Sequence, residues 1–107
     1  MTIGRLRHIA LALPDAVEGS HHGKADFRVG KRVFATLGYP DAKWGMVKLT
    51  PEQQTVLVDA EGDVFRPVPG AWGKNGSTNV LLAKADPVTL RSALTMAWRN
   101  VAPKTLL

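Results

Sequence analysis

Residues 18–34 read EGSHHGKADFRVGKRVF, and the folding of this stretch decides the architecture of the whole chain. Its second half alternates. Ala25, Phe27 and Val29 are separated by Lys24, Asp26 and Arg28, and beyond Gly30 the set Val33, Ala35 and Leu37 is separated by Arg32, Phe34 and Thr36. Period-two alternation sends one set of side chains to a buried sheet face and the other to the opposite face. Gly30 marks the turn, so the pattern predicts a hairpin with strands over 24–29 and 32–37. The parity of that turn sets the register. An even loop would pair Phe27 with Phe34 and turn Val33, Ala35 and Leu37 away from the core. An odd loop, Gly30 to Arg32, is expected, because it gathers six small or aliphatic-sized positions on one face. The preceding EGSHHG reads as an approach loop bearing His21 and His22.

Upstream, Ile3, Leu6, Ile9, Ala10 and Leu13 recur at helical spacing, with Thr2 available as N-cap and Pro14 as the stop. The opposite face carries Arg5 and Arg7 and no acid. Downstream, YPDAK is a second turn punctuated by Pro40 and Asp41. The strand WGMVKL then points Val47 and Leu49 inward and Trp44, Met46 and Lys48 outward. TPEQ at 50–53 is a capping box, with Thr50 as N-cap, Pro51 at N1 and Gln53 at N3. Its helix runs through Val56 and Leu57 and is expected to stop near Gly62 in a left-handed cap. DVFRPVPGAWGKNGS reads as an ordered loop, STNVLLA as a fourth strand, and DPVTLRSALTMAWRNVA as a final helix capped by Asp86. That helix should bury Leu90, Ala93, Leu94, Ala97, Trp98 and Val101.

The order is therefore α-β-β-β-α-β-α, which predicts an α+β fold: a two-layer sandwich with an antiparallel sheet and helices packed on one face. The outward sheet face would show Lys24, Arg28, Phe34, Trp44, Met46 and Lys48. With 107 residues and no linker or repeat, residues 1–107 are expected to form one domain. No apolar run approaches the roughly 18 residues of a membrane span, and IALAL is too short for a signal-peptide core. The absence of cysteine excludes disulfides and thiolate metal sites. A cytoplasmic protein is expected.

Fourteen Lys and Arg against nine Asp and Glu leave a net charge of +5, which favours anionic partners where the charge clusters. Lys24, Arg28, Lys31 and Arg32 lie on one hairpin, and Arg66 and Lys74 flank the Pro/Gly-rich loop near Trp72. Cations beside aromatics can neutralise phosphates and stack on bases. The plainer reading is that they solvate a sheet face, with Trp72 plugging the sheet edge. His21 and His22 are neighbours, so in an extended chain their rings point to opposite sides, and no third ligand stands at metal spacing. They read as loop histidines with local hydrogen bonds, Glu18 being a candidate partner. Ser20 beside His21 lacks a third orienting group for a triad, and GKNGS lacks Walker spacing. No metal, no cofactor and no catalytic residue are expected.

LALPDAVEGSHHGKADFRVGKRVFATL, MVKLTPEQ, FRPVPGAWGKNGSTNVLL and LRSALTMAWRNVAPK together resemble the MmcQ/YjbR family of small bacterial proteins over nearly the whole chain. The marks are Leu13-Pro14, Glu18, His22-Gly23, FRVGKRVFA, Arg66-Pro67 and the lysine loop before the last strand. The resemblance implies a sandwich similar to the frataxin-like CyaY fold, and a DNA-binding label attached to wing-like loops and a basic surface. It brings no family-wide chemistry. The acidic ridge with which frataxin-like proteins hold iron is replaced here by Arg5 and Arg7, so an iron role is discarded.

The combined expectation is a monomeric, non-enzymatic protein that contacts double-stranded DNA with low sequence specificity. Lys31 and Arg32 would form one wing and Lys74 the other, with Lys24, Arg28 and Arg66 extending the patch and His21, His22 and Trp72 as accessories. The alternative is a module that binds a protein or a small anion on an aromatic sheet face formed by Phe34, Trp44 and Met46.

Overall fold

A computed structural model describes residues 3–38 and 41–107; the expected Thr2 cap, the Tyr39-Pro40 part of the second turn and the side chain of His21 lie outside the described residues. The elements follow in the order α1 (Ile3–Leu11), β1 (Val17–His21), β2 (Lys24–Val29), β3 (Arg32–Leu37), β4 (Trp44–Lys48), α2 (Pro51–Ala60), β5 (Phe65–Pro67), α3 (Ala71–Lys74), β6 (Ser77–Leu81) and α4 (Pro87–Val101). One antiparallel sheet runs β1-β2-β3-β4-β6-β5. The helices supply the second layer. Leu6 of α1 meets Gly45 of β4 so closely that a Cβ there would lie 2.6 Å from the leucine methyl.

The expected α+β sandwich and element order hold, with two strands and a short helix inserted where loops were expected. EGSHHG is not an approach loop but the edge strand β1 and a second hairpin turn. His22 (φ 51°) and Gly23 (φ 76°) close it, and Gly30 (φ 57°) and Lys31 (φ 70°) close the next. Two successive residues at positive φ make the I′-type turn whose twist suits a two-residue hairpin.

The loop between β2 and β3 is thus even, not odd, with Val29 facing Arg32 and Arg28 facing Val33. A register shift follows, since Phe27 next to Arg28 pairs with Ala35. This bulge inserts Phe34 as an extra residue and returns Ala35 and Leu37 to the core. Phe34 is fully buried, whereas Val33 is only half-buried opposite outward-facing Arg28. The expected assignment of that pair is reversed, and Phe34 leaves the outer face.

The Pro/Gly-rich segment also holds elements, because β5 adds an edge strand beside β6 and α3 folds back under it. Gln54 of α2 explains how this stretch is held. Its buried amide nitrogen donates to the carbonyls of Gly73 (3.0 Å) and Ser77 (3.0 Å) and to Thr78 Oγ1 (3.1 Å). Helix α2 starts with the expected reciprocal box, Gln53 N donating to Thr50 Oγ1 and Thr50 N to Gln53 Oε1. It ends at Glu61 with φ −143°, so Gly62 is not the left-handed cap, and Val56 faces solvent.

Helix α4 buries the six predicted residues. The backbone N–H of Thr89 donates to Asp86 Oδ1 at 2.8 Å and holds that carboxyl below its ordinary range. Trp98 Nε1 donates to the Pro14 carbonyl at 2.9 Å, tying α4 to the end of the first helical segment. No helix among the described residues is long and apolar enough to cross a membrane.

Candidate functional site

The strand register sorts the candidate residues. Gly19, Asp26, Thr36, Met46, Asn79 and Arg66 stand side by side across all six strands. Their neighbours Phe27, Val47 and Val80 belong to the core, so this row faces away from the helices. Toward one end of the sheet the same face carries Val17, Arg28, Val33, Lys48 and Ser77. Toward the other it carries Lys24, Trp44 and Leu81.

The chain direction in each strand places the β2–β3 turn, the α3 segment and the end of β4 at one end of the sheet. Lys31 and Arg32 sit there exposed, Lys74 is exposed on α3, and Lys48 lies between them on β4. Trp72 is no edge plug, since it is 66% exposed, with Lys48 Nζ 5.5 Å from its ring centroid. Lys24, His22 and the β1–β2 turn lie at the opposite end, roughly 17 Å away along β2 at about 3.3 Å per residue. The two expected wings therefore lie at the same end of the sheet, and Lys24 and the histidine turn at the other. Lys48 belongs with the wings although the sequence reading placed it only on the sheet face.

Two expected contacts are already engaged elsewhere. Arg28 forks onto Asp26, with Nε to Oδ1 at 2.8 Å and Nη2 to Oδ2 at 2.9 Å. Asp26 is fully buried on a face expected to be solvated, because Arg28 covers it and Gly19 leaves room beside it. A Cβ on Gly19 would lie 2.9 Å from Asp26 Oδ1. The hydrogen bond to Asp26, and then its charge, raise the Arg28 guanidinium above its ordinary value. Arg28 therefore serves the fold before it serves a ligand. Arg28→Leu should lower the urea midpoint more than the double substitution Asp26→Leu/Arg28→Leu, because only the single variant strands a buried carboxylate. Equal midpoints would show that Asp26 keeps its hydration without Arg28. Glu18 likewise pairs with Arg7, whose Nε lies 2.9 Å from its Oε1.

Arg66 behaves differently. It faces Asn79 on the adjacent strand, yet its guanidinium carbon lies 5.2 Å from the ring of Trp44, which stands on the far side of β6. Its side chain thus crosses the outer face of β6, the face to which Asn79 also belongs. Among the described residues no carboxylate lies within ion-pair distance of Arg66. Asn79 itself is 7% exposed and its Oδ1 has no hydrogen-bond partner among the described residues. An unsatisfied buried acceptor of this kind costs about 1–3 kcal/mol. Nothing in the alternation of STNVL distinguished Asn79 from any outward strand polar residue.

Shallow depressions also run along α4, beside Arg91, Met96 and Arg99, and along α1, beside Arg7, His8 and Leu11. Neither adjoins the basic end. Among the described residues no group of three or more His, Cys, Asp or Glu is placed to hold a metal ion.

The YjbR family model matches residues 11–100, from the end of α1 to the last turn of α4. The chain belongs to the YjbR family. The YjbR fold seen here is similar to the crystal structure of the Deinococcus radiodurans protein DR2400, which carries the DUF419 domain. The TM-score is 0.78 at 21% identity, covering 99% of this chain and 82% of that one. At that identity the likeness is one of fold. No curated protein matches this YjbR chain.

Proposed function

We propose that this YjbR protein binds DNA without catalysing a reaction on it, gripping phosphates with the sheet end formed by Lys31, Arg32, Lys48 and Lys74. The observation that carries the reading is the placement of the β2–β3 turn, with Lys31 and Arg32, and of α3, with Lys74 and exposed Trp72, at one end of the sheet, Lys48 lying between them on β4. Cations on mobile stems release counterions from a phosphate backbone, and an exposed indole beside them can stack on a base. The net charge of +5 adds long-range attraction. No base-reading helix is part of the patch, so the contacts position the protein on DNA without selecting a sequence. The reading takes the protein to be monomeric and cytoplasmic.

The test is fluorescence anisotropy of a labelled duplex at several salt concentrations. Dissociation constants on the order of 10⁻⁴ to 10⁻⁶ M are expected near physiological salt, with log affinity falling linearly in log salt. The combined substitution Lys31→Gly/Arg32→Ala/Lys74→Ala should weaken binding roughly tenfold or more and flatten the salt slope by about one per lost contact. Glycine is chosen at 31 because the position has φ 70° and tolerates it without strain. Absence of binding at low salt, or an unchanged slope in the triple variant, would overturn the proposal.

A further inference from the structure

The outer sheet face holds a second, different arrangement at Trp44, Asn79 and Arg66. From it we infer that this face binds a nucleotide with an unpaired base, stacking the ring on Trp44 and reading its edge with the Asn79 amide. The choice of a nucleotide rests on the nucleic-acid reading above; the site itself rests on its own geometry.

Three observations converge. Asn79 Oδ1 is buried and unpartnered, so an acceptor is held ready for a donor the protein does not supply. Arg66 stands in register with it and reaches across β6 to the face of Trp44, with no carboxylate among the described residues within ion-pair distance of it. An exposed cation–π contact is weak enough to open readily. Leu81 and Met46, both half-buried, stand in register with Trp44 and Asn79 respectively and supply an apolar floor.

When Arg66 swings aside, the indole face and the amide become accessible together. A planar base then replaces the guanidinium on Trp44. Its N–H donor meets Asn79 Oδ1, the amide nitrogen meets the adjacent ring acceptor, and Arg66 is free to close on the phosphate. A base stacked in a duplex cannot enter, because both of its faces are covered by its neighbours. Each ligand part thus has a counterpart: ring to Trp44, edge to Asn79, anion to Arg66. Asp26, the one carboxylate on the outward strand positions, is covered by Arg28 and does not repel the anion.

The experiment uses tryptophan fluorescence of the full chain carrying Trp72→Phe, titrated separately with AMP and with single-stranded oligodeoxyadenylate. Trp98 is buried against the helix layer and bonded to Pro14, so a change in signal reports Trp44. Saturable quenching is expected, and adding Asn79→Leu should weaken it about tenfold. The melting temperature of Asn79→Leu should be equal or higher, because the orphaned acceptor is gone. That pairing of lost binding with retained stability separates a recognition role from a structural one. Quenching by AMP as strong as by the oligomer assigns the site to free nucleotides; quenching by the oligomer alone assigns it to a strand. Either result supports the site. Lys31→Gly/Arg32→Ala/Lys74→Ala should leave AMP quenching intact, so failure of the phosphate-gripping end is read separately. No quenching by either ligand at low salt, or undiminished quenching in Asn79→Leu, would overturn the inference.

Discussion

Gly76→Ala is expected to lower the melting temperature by roughly 15 °C or more, a loss of about 3 kcal/mol in a domain of this size. Gly76 has φ +107°, where an L side chain is strained, and a Cβ there would run into the carbonyl of Leu49. That neighbour is backbone and cannot rotate away. The same junction is stitched by Leu49 N to Gly76 O at 3.3 Å, Gly76 N to Gly73 O at 3.0 Å and Thr78 Oγ1 to Gly76 O at 2.8 Å. Moving the chain to admit a methyl group therefore breaks the connection that places Trp72 and Lys74. Gly23→Ala is the control. It too has positive φ (+76°), but nothing lies within 4 Å of its Cβ, so only about 1–2 kcal/mol of local strain is expected. Circular dichroism melts of both variants check the contrast, and similar small shifts would refute the steric argument.

Phe34→Ala is expected to cost about 3–5 kcal/mol, whereas Val33→Ala should cost less than about 1 kcal/mol. The difference comes from the bulge. Phe34 is the inserted residue and is fully buried among the core side chains, while Val33 stays on the outer face, half-buried. Urea denaturation of the two variants measures both numbers. The reverse ranking would mean that strand β3 follows the odd-loop register, with Val33 inside and Phe34 outside.

The same pair of residues shows what was legible in the sequence. Simple alternation favoured Val33 inside, because a bulge leaves no mark in the pattern except that two adjacent apolar residues straddle the phase change. Helix α4 and the Thr50–Gln53 box were legible because their signals are local: a proline at N1, a capping side chain and apolar spacing of three and four. Strands β1 and β5 were not. VEGSH carries glycine and polar residues, and FRP ends in proline, yet both lie at sheet edges where one ladder suffices and proline is tolerated. Neighbouring strands supply the order that their own composition lacks.

For the candidate site, residue type was readable and placement was not. Lys31, Arg32 and Lys74 could be named from sequence, and their placement at one end of the sheet depends on chain direction in β2, β3, β5 and β6. Arg28 looked equally available until the structure paired it with Asp26, which itself read as an ordinary outward polar residue. Asn79 carried no signal at all. Its distinction arises from burial on the outer face between β4 and β5, a property of the assembled sheet rather than of its own segment.

The amide of Gln54 has a consequence for how any partner is met. By bonding to Gly73, Ser77 and Thr78 at once, it fastens α3 to the sheet from the helix side. The turn that presents Trp72 and Lys74 is thus preorganised, unlike a surface loop that must order itself at the moment of contact. Encounter then demands only side-chain adjustment from the protein, and association should proceed without a slow folding step in that segment. Loosening the fastening would be felt as slower docking as well as weaker holding.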